Sequence, residues 1–147
     1  MDPNNPVVKL CAEGMQAEAQ GRNAAALELF TQAWEVSQDD YEACMAAHYL
    51  ARQQTTPQDV LRWNQEALQR AEAVDDERVE GFYPSLYLNM GYSYEVLGKR
   101  AEAMRYYQLA AARVEALPEG GYGDLVRDGV ARGLQRMAAI PAEDDRG

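Results

Sequence analysis

The segment GMQAEAQGRNAAALELFTQA, residues 14–33, shares its pattern with the segment GYSYEVLGKRAEAMRYYQLA, residues 91–110, and this repeat is the main evidence for the architecture. In both segments a glycine is followed after 7 residues by a second glycine, after 12 and 19 by alanines, and after 16 by an aromatic residue. The shared positions are Gly14, Gly21, Ala26, Phe30 and Ala33 in the first segment and Gly91, Gly98, Ala103, Tyr107 and Ala110 in the second. The second glycine of each segment is typical of a turn between two helices. The spacing therefore predicts a helical hairpin that occurs more than once.

The first glycine and the aromatic residue have a physical reason to recur together. A small residue lets two antiparallel helices approach closely, and the aromatic ring fills the space beside it. Between the two segments these positions fall on His48 and Asn64. One interpretation is an internal hydrogen bond that fixes the register of the hairpin, with His48 buried and neutral. The other is a functional histidine that is exposed in a loosened hairpin.

Helical periodicity and turn signals divide the whole chain into about seven helices, and signals for strands are missing. Asn23 and Thr56 are predicted N-caps, and Pro57 is the predicted first residue of the fourth helix. Pro84 either begins the fifth helix or kinks a longer one, and we favour the longer helix because Val79 needs a core to enter. The predicted helices cover residues 7–20, 23–37, 40–53, 57–73, 78–97, 100–116 and 123–139.

The pattern resembles the tetratricopeptide repeat, a helix–turn–helix unit of 34 residues with a small residue in its first helix and Ala-x3-aromatic in its second. Three repeats fall at residues 7–40, 41–74 and 84–117, although none carries the family's tryptophan or terminal proline. The resemblance implies an all-α fold in which antiparallel hairpins stack as a short right-handed superhelix, within a single domain over residues 1–147. The helix at 123–139 is predicted to cap the stack with the apolar stripe Val126, Val130, Leu134 and Met137, and an acidic tail follows at 142–147.

The resemblance also implies a function, because such stacks bind proteins or peptides in a groove formed by the first helix of each hairpin. Helical spacing along these helices nominates a set of groove residues: Cys11, Met15, Glu18, Met45, Tyr49, Arg52, Leu88, Tyr92 and Glu95. Asn89 is added as the one residue of this wall that matches the family members that bind a C-terminal carboxylate. The alternative for the methionine and leucine positions is that they belong to the core between repeats. Tyrosine and arginine are frequent at recognition surfaces. The chain is thus expected to act as an adaptor, regulator or assembly subunit. The alternative is a small-molecule sensor or minor enzyme built around His48, Tyr49 and Arg52.

Composition narrows the classes of partner. A net charge of −10 argues against nucleic acid and against an anionic membrane surface, and favours a neutral or basic polypeptide. No catalytic, cofactor or metal-binding motif is recognisable, so no catalytic residue, cofactor or metal is predicted. Cys11 and Cys44 are expected to be buried and reduced. Neither a secretory signal nor a membrane span is recognisable, so a cytoplasmic location is expected by default, and self-association is left open.

Overall fold

A computed structural model describes residues 2–140, which form seven α-helices and two single-turn 3-10 helices, Glu77–Val79 and Val114–Ala116. No strand occurs among these residues, so the all-α prediction is confirmed over the described part of the chain. The predicted acidic tail at 142–147 lies outside the described residues. The α-helices are α1 (Pro6–Ala19), α2 (Asn23–Val36), α3 (Asp40–Arg52), α4 (Pro57–Val74), α5 (Tyr83–Val96), α6 (Arg100–Ala111) and α7 (Gly121–Ala139).

Contacts between helices divide the described residues into two compact units, with the division between Asp75 and Asp76. Unit 1 contains α1 to α4, in which α1 packs on α2, α2 on α3 and α3 on α4. Unit 2 contains α5 to α7, in which α5 packs on α6 and both pack on α7. The helices thus pack in consecutive pairs, as the hairpin pattern predicts. The extent of a single domain over residues 1–147 stays a prediction.

The helix starts follow the local sequence with one exception. Thr56 caps α4 as predicted, because its hydroxyl accepts a hydrogen bond of 3.2 Å from the Asp59 amide, and Pro57 is the first helical residue. The N-cap prediction for Asn23 is wrong, since Asn23 is the first residue of α2. Gly21 adopts a positive φ of 75°, and the Arg22 amide donates a hydrogen bond of 2.9 Å to the carbonyl oxygen of Ala17. The turn is therefore so tight that Arg22 alone separates it from the new helix.

Pro84 belongs to the first turn of α5, so the longer helix from residue 78 is not formed. The pyrrolidine ring would clash with the carbonyl of residue 80 in a continuous helix, and proline has no amide hydrogen to donate. The preceding segment instead forms the short 3-10 turn Glu77–Val79, which Asp76 caps by accepting from the Arg78 amide at 2.9 Å. Val79 enters the core from this turn and is fully buried.

The glycine and aromatic positions of the two matching segments are in contact, which confirms the predicted packing. A methyl group at Gly14 would overlap the ring of Phe30, and one at Gly91 would lie 2.7 Å from Cδ1 of Tyr107. Both rings are fully buried. The absence of a side chain at each glycine therefore allows the two helices of the hairpin to pack at this distance.

The first and third helices of unit 1 run parallel to each other. Near their N-terminal ends the Asn5 amide nitrogen donates to Glu42 at 2.8 Å, and near their C-terminal ends Arg52 lies 3.0 Å from Glu18. Because the hydrogen bond and the ion pair join corresponding ends, α1 and α3 lie side by side in the same direction. Their neighbouring surfaces form one wall of the unit.

The same arrangement recurs in unit 2 with α5 and α7. The Ser85 hydroxyl is hydrogen-bonded to the Tyr122 hydroxyl at the N-terminal ends, and Arg136 donates to Glu95 at 2.8 Å at the C-terminal ends. Because these hydrogen bonds join corresponding ends, α5 and α7 are parallel neighbours. Position Glu95 in α5 corresponds to Glu18 in α1 by the repeat spacing, so each unit uses a glutamate at the same repeat position to hold an arginine.

The apolar stripe predicted for α7 faces the interior of unit 2. Val126, Val130 and Met137 are at most 5% exposed, and Leu134 is half-buried. They pack on α6 and on the apolar residues that follow it. The helix therefore covers one side of the α5–α6 hairpin, and its role as the cap of a repeat stack stays a prediction.

Aromatic side chains are distributed unequally between the two units. In unit 1 the rings of Trp34 and Trp63 meet edge to face with centroids 5.1 Å apart. In unit 2 four tyrosines form a continuous row in the order Tyr83, Tyr87, Tyr106 and Tyr94, with successive centroids 5.6, 6.2 and 5.6 Å apart. Such contacts add to the stability of each unit beyond the apolar area that they bury.

Cys11 and Cys44 are both buried and form no disulfide, as predicted. Burial raises the pKa of each thiol to about 12, because the thiolate would lose its hydration. Among the described helices, none is long and apolar enough to cross a membrane.

Candidate functional site

Three of the predicted groove residues in unit 1 form one connected cluster. The Arg52 guanidinium lies 5.6 Å from the centroid of the Tyr49 ring, and its Nη2 is 3.0 Å from Oε1 of Glu18. Tyr49 in turn stacks on Phe30, with ring centroids 5.1 Å apart and an angle of 14° between the planes. The buried ring of Phe30 thereby fixes the position of Tyr49, and Tyr49 with Glu18 orients the arginine.

The two charged side chains of this cluster differ in their exposure to solvent. The side chain of Arg52 is 49% exposed, whereas that of Glu18 is 12% exposed. Gln53 also donates to Oε2 of Glu18, at 2.5 Å. Oε2 of Glu18 thus accepts a hydrogen bond, whereas the buried Oε1 has no hydrogen-bond partner and only the ion pair with Arg52. The outer edge of the guanidinium can still donate hydrogen bonds to a partner.

The remaining predicted residues of unit 1 separate into an exposed and a buried group. Met15 is 44% exposed on α1. Met45 and Cys11 are 9% and 3% exposed and pack with Val7 in the core, so neither side chain is accessible to a groove ligand, and the alternative of a core position fits both. The spacing placed them on the correct helices, but α1 and α3 approach each other along these positions and exclude solvent.

His48 and Asn64 lie in the α3–α4 hairpin, where Asn64 is 5% exposed and His48 is half-buried. The imidazole meets the Tyr49 ring at a centroid distance of 5.1 Å with an angle of 65° between the planes. Burial lowers the pKa of His48 to about 4, and the nearby positive charge of Arg52 contributes in the same direction. The imidazole is therefore neutral at pH 7, while its role as a buried residue that is hydrogen-bonded to Asn64 stays a prediction.

In unit 2, two of the predicted groove residues are engaged by α7. Leu88 lies beneath Gly129, where an added methyl group would be 3.0 Å from its Cδ2 atom. Glu95 accepts a hydrogen bond of 2.6 Å from the Tyr107 hydroxyl and bonds of 2.8 and 3.0 Å from Arg136. Glu95 is therefore part of an internal network and is not a free groove residue.

Opposing influences act on the ionisation of this network. Burial raises the pKa of Glu95, but hydrogen bonds from Arg136 and Tyr107 outweigh it, so the pKa lies below its usual range. Burial and the hydrogen bond to Glu95 raise the pKa of the Tyr107 hydroxyl well above its ordinary value. The network thus holds a carboxylate, a guanidinium and a protonated phenol at neutral pH.

The accessible part of the predicted set in unit 2 is Tyr92, which is 56% exposed, with Asn89 half-buried one turn before it. The prediction missed Tyr122 and Leu125 of α7, which are 54% and 71% exposed. Both lie outside the apolar stripe of that helix, and this departure from the amphipathic pattern was the available signal.

A separate surface cleft of about 560 Å³ lies in unit 1, where α2 ends and α3 begins. Arg70 lines this cleft, and its guanidinium lies 5.2 Å from the Trp34 ring centroid and 2.9 Å from Asp40. This cleft does not include the His48 and Tyr49 pair. The cleft is lined by Trp34, Glu35, Ser37, Gln38, Asp39, Asp40, Ala43 and Arg70.

The described residues contain no group of three or more His, Cys, Asp or Glu side chains placed to hold a metal ion.

Comparison with protein-family profiles, with curated proteins and with solved structures finds no match to this chain. The relation to tetratricopeptide repeats accordingly rests on the residue pattern and stays a prediction.

Proposed function

We propose that the chain is a tetratricopeptide-like module that binds a protein or peptide through the first helices of its hairpins, as an adaptor, regulator or assembly subunit. The observation that carries the proposal is that Met15 and Tyr92 both remain exposed. Each follows directly after the glycine of the repeat pattern, Gly14 or Gly91, and they are 44% and 56% exposed. A large apolar side chain in solvent at the same repeat position in both units favours a recognition role over a packing role.

The residue types and fixed positions of Arg52 and Tyr49 also support the proposal. Interface residues that contribute most to binding are often tyrosine and arginine, because each combines a large contact area with a polar end. The guanidinium is held in place by Tyr49 and Glu18, so binding would cost little side-chain entropy. Arg52 is thus proposed to supply directed hydrogen bonds to the partner's backbone or to a neutral polar side chain.

The charge of the chain sets the expected partner chemistry. The segment up to Asp75 contains twelve acidic and five basic residues, and the whole chain has a net charge of −10. A partner that approaches unit 1 is therefore proposed to be neutral or basic, and nucleic acid and anionic membranes are not proposed as ligands. Action in the cytoplasm is part of the same proposal.

The test begins with affinity capture from a lysate of the source cells by the full chain, followed by purification of the captured partner. Direct titration then compares the wild type with Arg52→Glu. The matched control is Arg62→Glu, since Arg62 is also exposed and lies 5.7 Å from an aromatic ring, that of Trp63, but belongs to the second helix of its hairpin.

We expect Arg52→Glu to weaken binding by about tenfold or more, as for a central interface arginine, and Arg62→Glu to change it by less than about twofold. Equal loss in both variants would indicate a general charge effect. Unchanged binding by Arg52→Glu together with Tyr92→Ala would place the binding site away from the first helices and overturn the proposal.

A further inference from the structure

We propose that the face of unit 2 shared by α5 and α7 docks an uncharged, apolar polypeptide segment. The inference rests on the proposed function and assigns a partner chemistry to unit 2. It begins from an uneven distribution of exposed apolar side chains. The four large apolar residues with the greatest exposure in the described chain, at 52% to 71%, all belong to α5 and α7. They are Tyr92, Val96, Tyr122 and Leu125.

These side chains lie on one side of the unit. Tyr92 and Val96 are four residues apart in α5 and share a helix face, and Ser85 lies on that face two turns before Tyr92. The hydrogen bond between Ser85 and Tyr122 brings the first turn of α7 to the same side. Leu125 follows Tyr122 by three residues and extends the face along α7.

At the centre of this face α7 packs closely on α5 through a glycine. Gly129 carries no side chain, and the residue beneath it is the half-buried Leu88. Tyr122 and Leu125 precede this point along α7, and Tyr92 stands on the neighbouring helix. A partner that covers this face would therefore contact the exposed aliphatic and aromatic side chains beside the glycine.

The charges around this face compensate one another. Arg136 is paired with Glu95 at 2.8 Å, and Arg132 is paired with Asp128 at 3.0 Å. Residues 76–140 contain nine acidic and eight basic side chains, in contrast to the strong acidic excess of unit 1. The face thus favours neither sign of charge, and a charged occupant would lose hydration without gaining a free counter-charge.

An uncharged segment with bulky aliphatic or aromatic side chains matches these properties. It would cover Tyr92 and Leu125 and would leave the ion pairs of α7 at the rim. Because contact would be apolar, its affinity should depend little on salt. This dependence separates it from a basic partner of unit 1, whose affinity would fall as salt screens the acidic residues.

The probe for the test is a library of random peptides displayed on phage, selected on the immobilised full chain. Enriched peptides are synthesised and titrated against the wild type and against the double variant Tyr92→Ser, Leu125→Ser. The matched control is Leu27→Ser, which removes an exposed leucine, 39% accessible, from α2. Far-ultraviolet circular dichroism checks that all variants remain helical.

We expect enriched peptides without net charge that carry two or more bulky apolar residues. The double variant should bind them about tenfold more weakly or worse, the control within about twofold, and added salt should change the affinity by less than about twofold. Enrichment of basic peptides that are lost with Arg52→Glu and retained by the double variant would overturn this inference and support the proposed function. Failure to enrich any peptide would count against both, and a concentration-dependent dimer abolished by the double variant would assign the face to a second copy of the chain.

Discussion

Three of the four glycines of α7, namely Gly121, Gly129 and Gly133, allow one chemical change to be tested against three different surroundings. A methyl group added at Gly121 would have no neighbour within 4 Å, one at Gly129 would lie 3.0 Å from Cδ2 of Leu88, and one at Gly133 would lie 2.5 Å from Cε1 of Tyr107. Replacement by alanine in a helix gains up to about 1 kcal/mol in each case from the lower flexibility of the unfolded chain. Differences among the three variants therefore report on the neighbours.

Gly133→Ala is expected to be destabilising because its neighbour cannot move. The Tyr107 ring is fully buried, is bounded by Gly91 as well as Gly133, and is tied through its hydroxyl to Glu95. Overpacking a well-filled core costs about 1–3 kcal/mol, so we expect a net loss of about 1–2 kcal/mol in the free energy of unfolding. Gly129→Ala should change it by less than about 0.5 kcal/mol, because the end of a leucine side chain can rotate away.

Urea denaturation followed by far-ultraviolet circular dichroism measures these differences, and thermal unfolding should shift by about 2–4 °C per kcal/mol. Repeating Gly133→Ala in a Tyr107→Leu background removes the ring and should abolish most of the penalty. If Gly133→Ala is as stable as Gly121→Ala in the wild-type background, α7 does not approach Tyr107 at this glycine and the reasoning fails.

Four further outcomes are expected. Folded Cys11 and Cys44, with pKa values of about 12, should resist a thiol reagent at pH 8 and react only on denaturation, and rapid labelling of the native chain would contradict their burial. The pKa of His48 is about 4 in the folded chain and about 6.5 in the unfolded chain. The free energy of unfolding should therefore be highest above pH 6.5 and should decrease as the pH falls toward 4. Comparison with His48→Gln by denaturation at several pH values should show a weaker acid dependence in the variant. The raised pKa of Tyr107 contributes stability below about pH 10 that is lost at higher pH, so Tyr107→Phe should flatten the alkaline decline of the unfolding free energy. Asn64→Ala should cost about 1–3 kcal/mol, and His48→Gly with Asn64→Phe should recover much of it, whereas strictly additive unfolding energies would show that the two residues do not touch.

Local sequence was sufficient to predict most of the fold. Helix periodicity, the cap at Thr56 and the matched Gly14 and Phe30 positions depend on neighbouring residues or on a repeat that is visible in the chain itself. The predicted longer α5 is wrong because Pro84 prevents a continuous helix, although Val79 is buried as that prediction requires. The structure satisfies both, since a separate 3-10 turn carries Val79 into the core.

The candidate site was predicted less completely because helical spacing identifies a face but not what covers it. Met45 lies on the predicted helix yet is buried where α1 and α3 meet. Glu95 is held by Arg136, a residue 41 positions later, and this pairing depends on the docking of α7. The exposure of Leu125 likewise depends on how that helix sits on α5 and α6.

The separation of aromatic residues gives the chain two optical signals, one from each unit. Both tryptophans, Trp34 and Trp63, belong to unit 1, and seven of the nine tyrosines belong to unit 2. Fluorescence excited at the red edge of tryptophan absorbance therefore follows the edge-to-face pair of unit 1 alone, while tyrosine absorbance is dominated by unit 2 and its row of stacked rings. Coincident transitions in the two signals would mean that the units melt as one cooperative body, and separate transitions would give each unit its own melting temperature, in an unlabelled and unmodified protein.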